Sequence, residues 1–454
     1  MVGAHELLLP NVRTVADLVN SIILKMNDLI NQLITAGLAA VNPFDSIQNH
    51  LRLDGDNLVI GDRVINLTNK DIRCVAIGKA SVPMARSIHT LLDSRISQGL
   101  VVTKYAHLGD PQLPANWECI ESAHPVPEER SLDAGDRVWE FLADCTDRTL
   151  VLACISGGAS ALAIAPHNWS ALIELLTNSP TVEISKETQK LIKTALSSNS
   201  IDITAVDPRS NISLVALQAI GIALLGNGLS IEKINTVRSR IDRLKGGGLV
   251  DRVGAGKVIG LILSDVIGDP IASIASGLTN HPDADNLLIG NNRQACEAVA
   301  TTARNLGYNS QIITTELDGE ARVRGVEIVR EIITHPPNTM LIYGGETTVN
   351  LPDNCLGRGG RNTELGLAAA IELAVHNVPA WVVTLATDGT DGPTDAAGAT
   401  VNETTIDRAL ALGLDARSAL ARHDSYPFFQ QLADLHLIGA TGTNVADITI
   451  AIRP

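Results

Sequence analysis

Five short apolar runs, each of strand length and each ending in small or polar residues, set the pattern of this chain. They are Val75–Ile77 before GKAS, Leu150–Ile155 before SGGAS, Val258–Leu263 before SDVIGD, Met340–Tyr343 before GGET and Trp381–Ala386 before TDGTDG. Helix-like patterns separate them, at 82–96, 169–177, 214–225, 292–306, 321–335 and 363–376. A near-continuous apolar strand is buried on both faces, and alternation with helices supplies the cover. The chain is therefore expected to be α/β, with parallel or mostly parallel sheet. Ligands of such sheets lie beyond the carboxyl ends of the strands. Here those ends carry Lys79, Ser156-Gly157-Gly158, Asp265, Gly344-Gly345-Glu346 and Asp388. One cation, several backbone-exposing residues and three carboxylates on one edge favour a site over coincidence.

The 454 residues suffice for two or three domains with a large core. Apolar positions at helical spacing across 14–41 (Val15, Leu18, Ile22, Met26, Ile30, Leu33) predict an amphipathic scaffold helix. A net charge of -15 argues against a general nucleic-acid binder. It leaves room for a small anionic ligand, because local cations decide that. Six cysteines without a C-x-x-C pair read as reduced thiols of a cytosolic protein. The start, MVGAHELLLP, lacks the basic and apolar regions of a signal peptide, and the most apolar stretch, 150–166, is broken by Ser-Gly-Gly and ends at Pro166. A membrane span is not expected. Residues 178–212 are rich in Ser, Thr and Asn and read as an inserted surface excursion with a short helix at 186–196.

The boxes at the strand ends differ in how strongly they speak. CVAIGKAS (74–81) sets a Gly-Lys pair between strand and helix, but Arg73 and Ala80 occupy positions where a P-loop needs Gly and Ser or Thr. Lys79 is thus either a phosphate lysine outside a P-loop or a surface lysine in a turn. SGGASAL (156–162) is either an anion-binding nest of backbone N–H groups, involving Ser156, Gly157, Gly158 and Ser160, or a tight turn. GAGKVIG (254–260) offers G-x-G but precedes a strand, the wrong order for a dinucleotide fingerprint. NTVRSRIDRLKGGGL (235–249) reads as a helix carrying Arg238, Arg240, Arg243 and Lys245, with a solvated basic face the simpler reading. In GRGGRN (357–362), glycines hold Arg358 and Arg361, residues suited to bidentate recognition of carboxylate or phosphate, and Asn362 is placed to cap a helix starting at Thr363. SDVIGDP and TDGTDGPTDAAG supply Asp265, Asp269, Asp388 and Asp391, hard oxygen ligands of the kind Mg²⁺ uses beside phosphates. For Asp391 and Asp395, turn chemistry is an equal reading. Cations, anion nests and metal-type carboxylates on one edge suit phosphoryl transfer.

These boxes, in this order, resemble the class II glycerate kinases, the glycerate 2-kinase family with a C-terminal MOFRL domain. The matching stretches include HLRLDGDNLVIG, VAIGKASVPMA, ESAHPVPEERSLDAG, ISGGASAL, NTVRSRIDRLKGGGL, LILSDVIGDPIASIASGLT, YGGETTVNL, GRGGRNTELGLAAA, ATDGTDGPTDAAGA and GATGTNVADI. The likeness runs from about residue 20 to the C-terminus, with a gap at roughly 168–212. It implies an N-terminal Rossmann-like parallel-sheet domain (1–234) and a C-terminal MOFRL-type α/β domain (235–454), with the active site in the cleft between them. The last residues would be free to pack back on the first domain. It implies ATP-dependent phosphorylation of D-glycerate to 2-phosphoglycerate with Mg²⁺, in the cytoplasm, with no nucleic acid or membrane partner and a homodimer left open. Carried over residue by residue, it assigns catalysis to Lys79, Arg361, Asp388 and Arg238, and metal to Asp265 and Asp388. Ligand binding falls to Asn235, Lys245, Gly246, Glu346, Arg358 and Asn444, with Thr443 and Asp447 in the same terminal box, and the anion-nest reading adds Ser156, Gly157, Gly158 and Ser160. Ala76 stands where members commonly have glycine, and Ser276-Gly277-Leu278-Thr279 replaces the usual Ser-Gly-Pro-Thr. The same carboxylate-binding set would also serve an oxidoreductase acting on hydroxypyruvate, or a non-catalytic sugar-acid binding protein.

Overall fold

The computed structural model describes residues 15–177, 184–352, 354–376 and 378–454, with side chains from residue 24 onward. In chain order its strands are β1 (Leu51–Asp54), β2 (Asn57–Ile60), β3 (Arg63–Asn66), β4 (Asp71–Ile77), β5 (Ile96–Lys104), β6 (Trp117–Ser122) and β7 (Thr149–Ile155). They continue with β8 (Lys257–Leu263), β9 (Ala284–Gly290), β10 (Asn309–Leu317), β11 (Thr339–Gly345), β12 (Trp381–Ala386), β13 (Thr400–Asn402) and β14 (Asp447–Arg453). The first three form an antiparallel meander. The next six form one sheet, ordered β6-β5-β4-β7-β8-β9, in which every pairing is parallel. The last five form a mixed sheet, ordered β10-β11-β14-β12-β13.

All five apolar runs are strands, and each is buried along its run. What the apolar runs do not reveal is β14, which lies antiparallel between β11 and β12. Its hydrophobic residues alternate with Thr and Ala (DITIAIR), so no continuous apolar run marks it. The insertion puts the start of β14 beside the ends of both neighbours, with Asp447 opposite Gly345 and Ala386.

The sheets share one core. Ile30, Leu33, Leu152, Leu261, Val299, Ile342, Leu385 and Ile450 belong to a single buried cluster that runs from the N-terminal helix (Val15–Ala40) through both sheets. The helix Asn292–Asn305 is the bridge. Its first turn is closed by a capping box in which Asn291 and Gln294 bond each other's backbone N–H. Its Asn292 side chain then donates to the carbonyls of Val445 and Asp447, at 2.9 and 2.8 Å. One side chain thus ties the exit of the first sheet to the entry of β14.

Two expectations about organisation need correction. The boundary at 234/235 falls inside the helix Ile231–Ile241, and β8 and β9 beyond it complete the first sheet. The chain passes to the second sheet only after Gly290. Residues 184–212 are also more than a surface excursion. The helix Lys186–Ser198 buries Ile192 and Leu196 in a separate cluster with Trp169, Leu172, Ile212, Ile220 and Val237. The polar composition hid this, because three buried positions per helix suffice for one amphipathic face; residues 178–183 lie outside the described residues. No described helix is long and apolar enough to cross a membrane, and all six cysteines are free.

Candidate active site

The tips of β4, β7 and β8 are adjacent in the first sheet and present Lys79, Gly157-Gly158 and Asp265. The tips of β11 and β12, with the start of β14 between them, present Glu346, Asp388 and Asp447. These two edges meet. Lys79 Nζ lies 3.0 Å from Asp388 Oδ2, with both side chains 18% exposed. Asn444 Nδ2 donates to Asp265 Oδ2 at 2.8 Å. Each pair joins one sheet to the other, so the site lies between them.

Lys79 is not held as a P-loop lysine. Its own N–H donates to the Gly157 carbonyl at 2.9 Å, and the N–H of Ala80 donates to Ser156 Oγ at 3.1 Å. Those two donors are therefore not available to a ligand. Gly78 has φ 136°, and a Cβ there would meet Ser156 Oγ at 2.1 Å, so only glycine allows this turn. Ser156 is buried, and its Oγ holds the turn by accepting from Ala80. The free donors sit one residue on. Among the described residues, the N–H groups of Gly157, Gly158, Ala159 and Ser160 find no protein acceptor. Gly157 also clears space, since a Cβ there would fall 1.8 Å from Asp265 Oδ2.

Arg361 anchors the second edge. Its Nε and one terminal nitrogen grip Asp447 at 2.5 and 3.0 Å, and the other terminal nitrogen lies 2.5 Å from Glu346 Oε1. It opens the helix Arg361–His376. The expected cap, Asn362, is not the one used. Asp391 accepts from the N–H of Asn362 at 2.9 Å and from both the N–H and Oγ1 of Thr363 at 2.8 Å. Asp391 is 1% exposed, and burial pushes its carboxyl up to about 6 against these donors. It is a structural cap that fixes Arg361, and Asp395 bonds the Tyr426 hydroxyl at 2.6 Å on the surface. Asp269 accepts from Asn291 at 2.6 Å.

The basic box divides. Its helix ends at Ile241, with Asp242 already extended, so Lys245 is not on the helix face with Arg238. Lys245 is buried and ion-paired with Asp242, which contradicts a solvated face. Burial pushes both the Lys245 ammonium and the Arg238 guanidinium down from their ordinary values. Asn235 accepts from Ser276 Oγ at 2.9 Å, and that hydroxyl also bonds Ser160, which carries a polar chain from the box to the glycine turn. Gly246 donates its N–H to the Ser276 carbonyl at 3.0 Å, and its φ is 62°. Ala275 and Ser276 also have positive φ, 52° and 55°, a strained stretch of the kind found at functional sites. Arg358 is drawn away from the others. It stacks on Tyr426, 4.1 Å from the ring centroid, and its N–H bonds Asp424, so it lies outside the central cluster.

Charge is the informative quantity. Asp265, Glu346, Asp388 and Asp447 face Lys79 and Arg361, four carboxylates against two cations. Burial, with repulsion from Asp447 and Asp265, pushes Glu346 up to about 7 despite Arg361. Burial also raises Asp265 and Asp447. At Asp388 burial works the same way, but Lys79 and the Thr390 donors outweigh it and hold the carboxyl low. The sequence reading gave no role to His124. A Cβ on Gly158 would lie 3.1 Å from the His124 ring and 3.3 Å from the Lys79 side chain, so His124 borders the glycine turn. Burial, then Lys79 and Lys104, pushes His124 down to about 4, so it is neutral at physiological pH. The signal was the box ESAHPVPEERSLDAG, one of the matching stretches, in which His124 was given no role.

Two facing α/β edges with cations, free backbone donors and surplus carboxylates define an enzyme that handles anionic, phosphate-bearing substrates. The sequence profile of the MOFRL family matches residues 339–447, and that of a domain of unknown function, DUF4147, matches 29–206 and 202–304. A D-glycerate 2-kinase of Thermotoga maritima is 34% identical over 83% of this chain and 89% of its own length. A putative hydroxypyruvate reductase of Agrobacterium vitis is 31% identical over 83% of this chain and 98% of its own. The crystal structure of a glycerate kinase from Thermotoga maritima superposes with a TM-score of 0.74 at 30% identity, covering 95% of this chain and all of that one. The chain belongs to the MOFRL-containing glycerate 2-kinase family.

Proposed function

We propose that the protein transfers the γ-phosphoryl group of ATP to the 2-hydroxyl of D-glycerate. The observation that carries this reading is the meeting of Lys79 and Asp388, and of Asp265 and Asn444, from opposite sheets around one cleft. The glycerate hydroxyl gives its proton to a carboxylate of the cleft as its oxygen forms the new bond to the γ-phosphorus, the bond from that phosphorus to the β-phosphate oxygen breaks, and ADP leaves. Lys79 and Arg361 stabilise charge on the transferring group, and the free N–H groups of 157–160 cradle an anion. Arg238 and Lys245 add positive field behind that turn. The four-to-two excess of carboxylates fits a divalent cation, and Asp265 and Asp388 are the oxygen ligands suited to Mg²⁺ beside phosphates. Bound there, Mg²⁺ would neutralise phosphate charge. Free thiols and a need for ATP suit a cytoplasmic enzyme.

The test is a direct assay of purified protein with ATP, D-glycerate and enolase as the only coupling enzyme. Enolase consumes 2-phosphoglycerate and yields phosphoenolpyruvate, whereas 3-phosphoglycerate gives no signal without a mutase. Absence of an ATP-dependent signal refutes the assignment to the 2-hydroxyl. The Agrobacterium vitis relative raises hydroxypyruvate reduction as a second reading. The G-x-G of 254–260 lies before β8, opposite to the order a dinucleotide site requires. Robust NADH oxidation with hydroxypyruvate would replace the kinase reading.

A further inference from the structure

Two cavities border the cleft, and their chemistry differs. One, of about 160 Å³, is lined by Asp265, Asp269, Asn292, Arg293 and Glu316. It is polar and too small for a nucleoside, since sites for ligands of that size span roughly 300–1,000 Å³. The other, of about 490 Å³, shares Glu346 and Arg361 with the site, and Lys79 is not part of its lining. Its walls are of two kinds. Val349, Leu351 and Pro393 supply apolar surface, while Gly357, Gly359, Gly360 and Gly392 supply bare backbone.

The glycine wall is fixed by its neighbours. A Cβ on Gly357 would meet the Arg422 carbonyl at 2.0 Å, and one on Gly360 would meet Asp391 at 2.4 Å. Neither position can carry a side chain, so that part of the lining stays bare backbone. One carboxylate of the lining is already paired. Glu364 is 2% exposed and is saturated by Arg322, at 2.6 and 2.9 Å, and by His423, at 2.9 Å. Leu351 stands 61% exposed at the rim. A cavity of this volume, with apolar lining, a paired buried carboxylate and an arginine shared with the site, suits a heteroaromatic base joined to phosphates.

We propose that this cavity binds the base and ribose of the phosphoryl donor, with the shared Arg361 meeting the phosphates. The inference rests on the kinase reading and assigns the donor's nucleoside to the second sheet, away from Asn235, Arg238 and Lys245. Those residues are left to the acceptor side of the reaction.

The experiment fills the cavity. Val349→Trp is expected to raise KM for ATP at least about tenfold, while KM for glycerate and inhibition by inorganic tripolyphosphate, which has no base, stay within about twofold. Leu351→Ala, at an exposed position that does not threaten folding, is expected to raise KM for ATP about threefold. Adenosine alone should compete with ATP in the unsubstituted enzyme. The assignment is overturned if a Val349→Trp protein that melts like its parent keeps the parental KM for ATP, or if tripolyphosphate inhibition weakens in step with ATP. If the parent phosphorylates no glycerate, the kinase reading fails. Calorimetric titration with adenosine then judges the cavity alone: binding lost in Val349→Trp supports it, and binding unchanged or absent in the parent refutes it.

Discussion

Replacing Lys79 by Met removes the cation that the first sheet sets against Asp388 of the second. Structurally the change is mild. Asp388 Oδ1 still accepts from Thr390 N at 3.0 Å and Thr390 Oγ1 at 3.2 Å, so its lost partner costs about 1–2 kcal/mol of stability. The methionine stem retains the packing against the glycine turn. Chemically the change is large. A preorganised donor aimed at developing charge in a site closed to water is worth about 10²–10³ in turnover. Turnover of Lys79→Met should therefore fall about 10²–10³-fold, far more than its melting temperature suggests. Lys79→Arg, which keeps charge but forks it, should recover only part of the loss. The measurement is the enolase-coupled rate at saturating ATP and glycerate, paired with thermal melting. A Lys79→Met protein retaining more than about a tenth of parental turnover would refute the reasoning.

Three further outcomes follow from the geometry. Arg361→Lys loses the two-point grip on Asp447, and kcat/KM should fall about 10–100-fold in the same assay. Asp391→Ala strips three hydrogen bonds from the first turn of the helix Arg361–His376 and should cost about 2–4 kcal/mol, read from urea unfolding. Its turnover should fall too, because that cap fixes Arg361. His436, which bonds Thr400 at 3.0 Å, is pushed by burial down to about 4. Between pH 6.5 and about 4 the unfolded chain then binds a proton that folded His436 refuses, so stability falls as pH falls through that window. His436→Gln should melt with a shallower dependence between pH 7 and 5, and an unchanged slope would exclude His436 as the source.

The sequence made the strand tips legible and hid how they are secured. Lys79, Asp265 and Asp388 stood out because a parallel strand delivers its next residue to the ligand edge, and that rule needs only an apolar run and its end. Lys245 was misread because helical spacing was extended through Asp242, where the backbone turns outward into extended conformation. Asp391 was ambiguous because Asp-Gly is turn chemistry anywhere in a chain, and its cap lies 28 residues from the N–H it serves. His124 carried no periodicity at all, and only the folded turn shows it beside Gly158.

The place of β14 has a consequence in time. Its two partners in the sheet, β11 and β12, are made earlier in the chain and do not pair with each other. Until residues 447–453 leave the ribosome, the second sheet has a gap where its central strand belongs. Asp447 and Asn444 arrive with that strand, so Arg361 and Asp265 wait for their partners as well. The six-stranded sheet, finished by residue 290, can fold well before then, since synthesis proceeds at about 5–20 residues per second. A nascent chain therefore holds a formed but chemically silent half, and activity switches on when β14 joins the second sheet rather than growing along the chain.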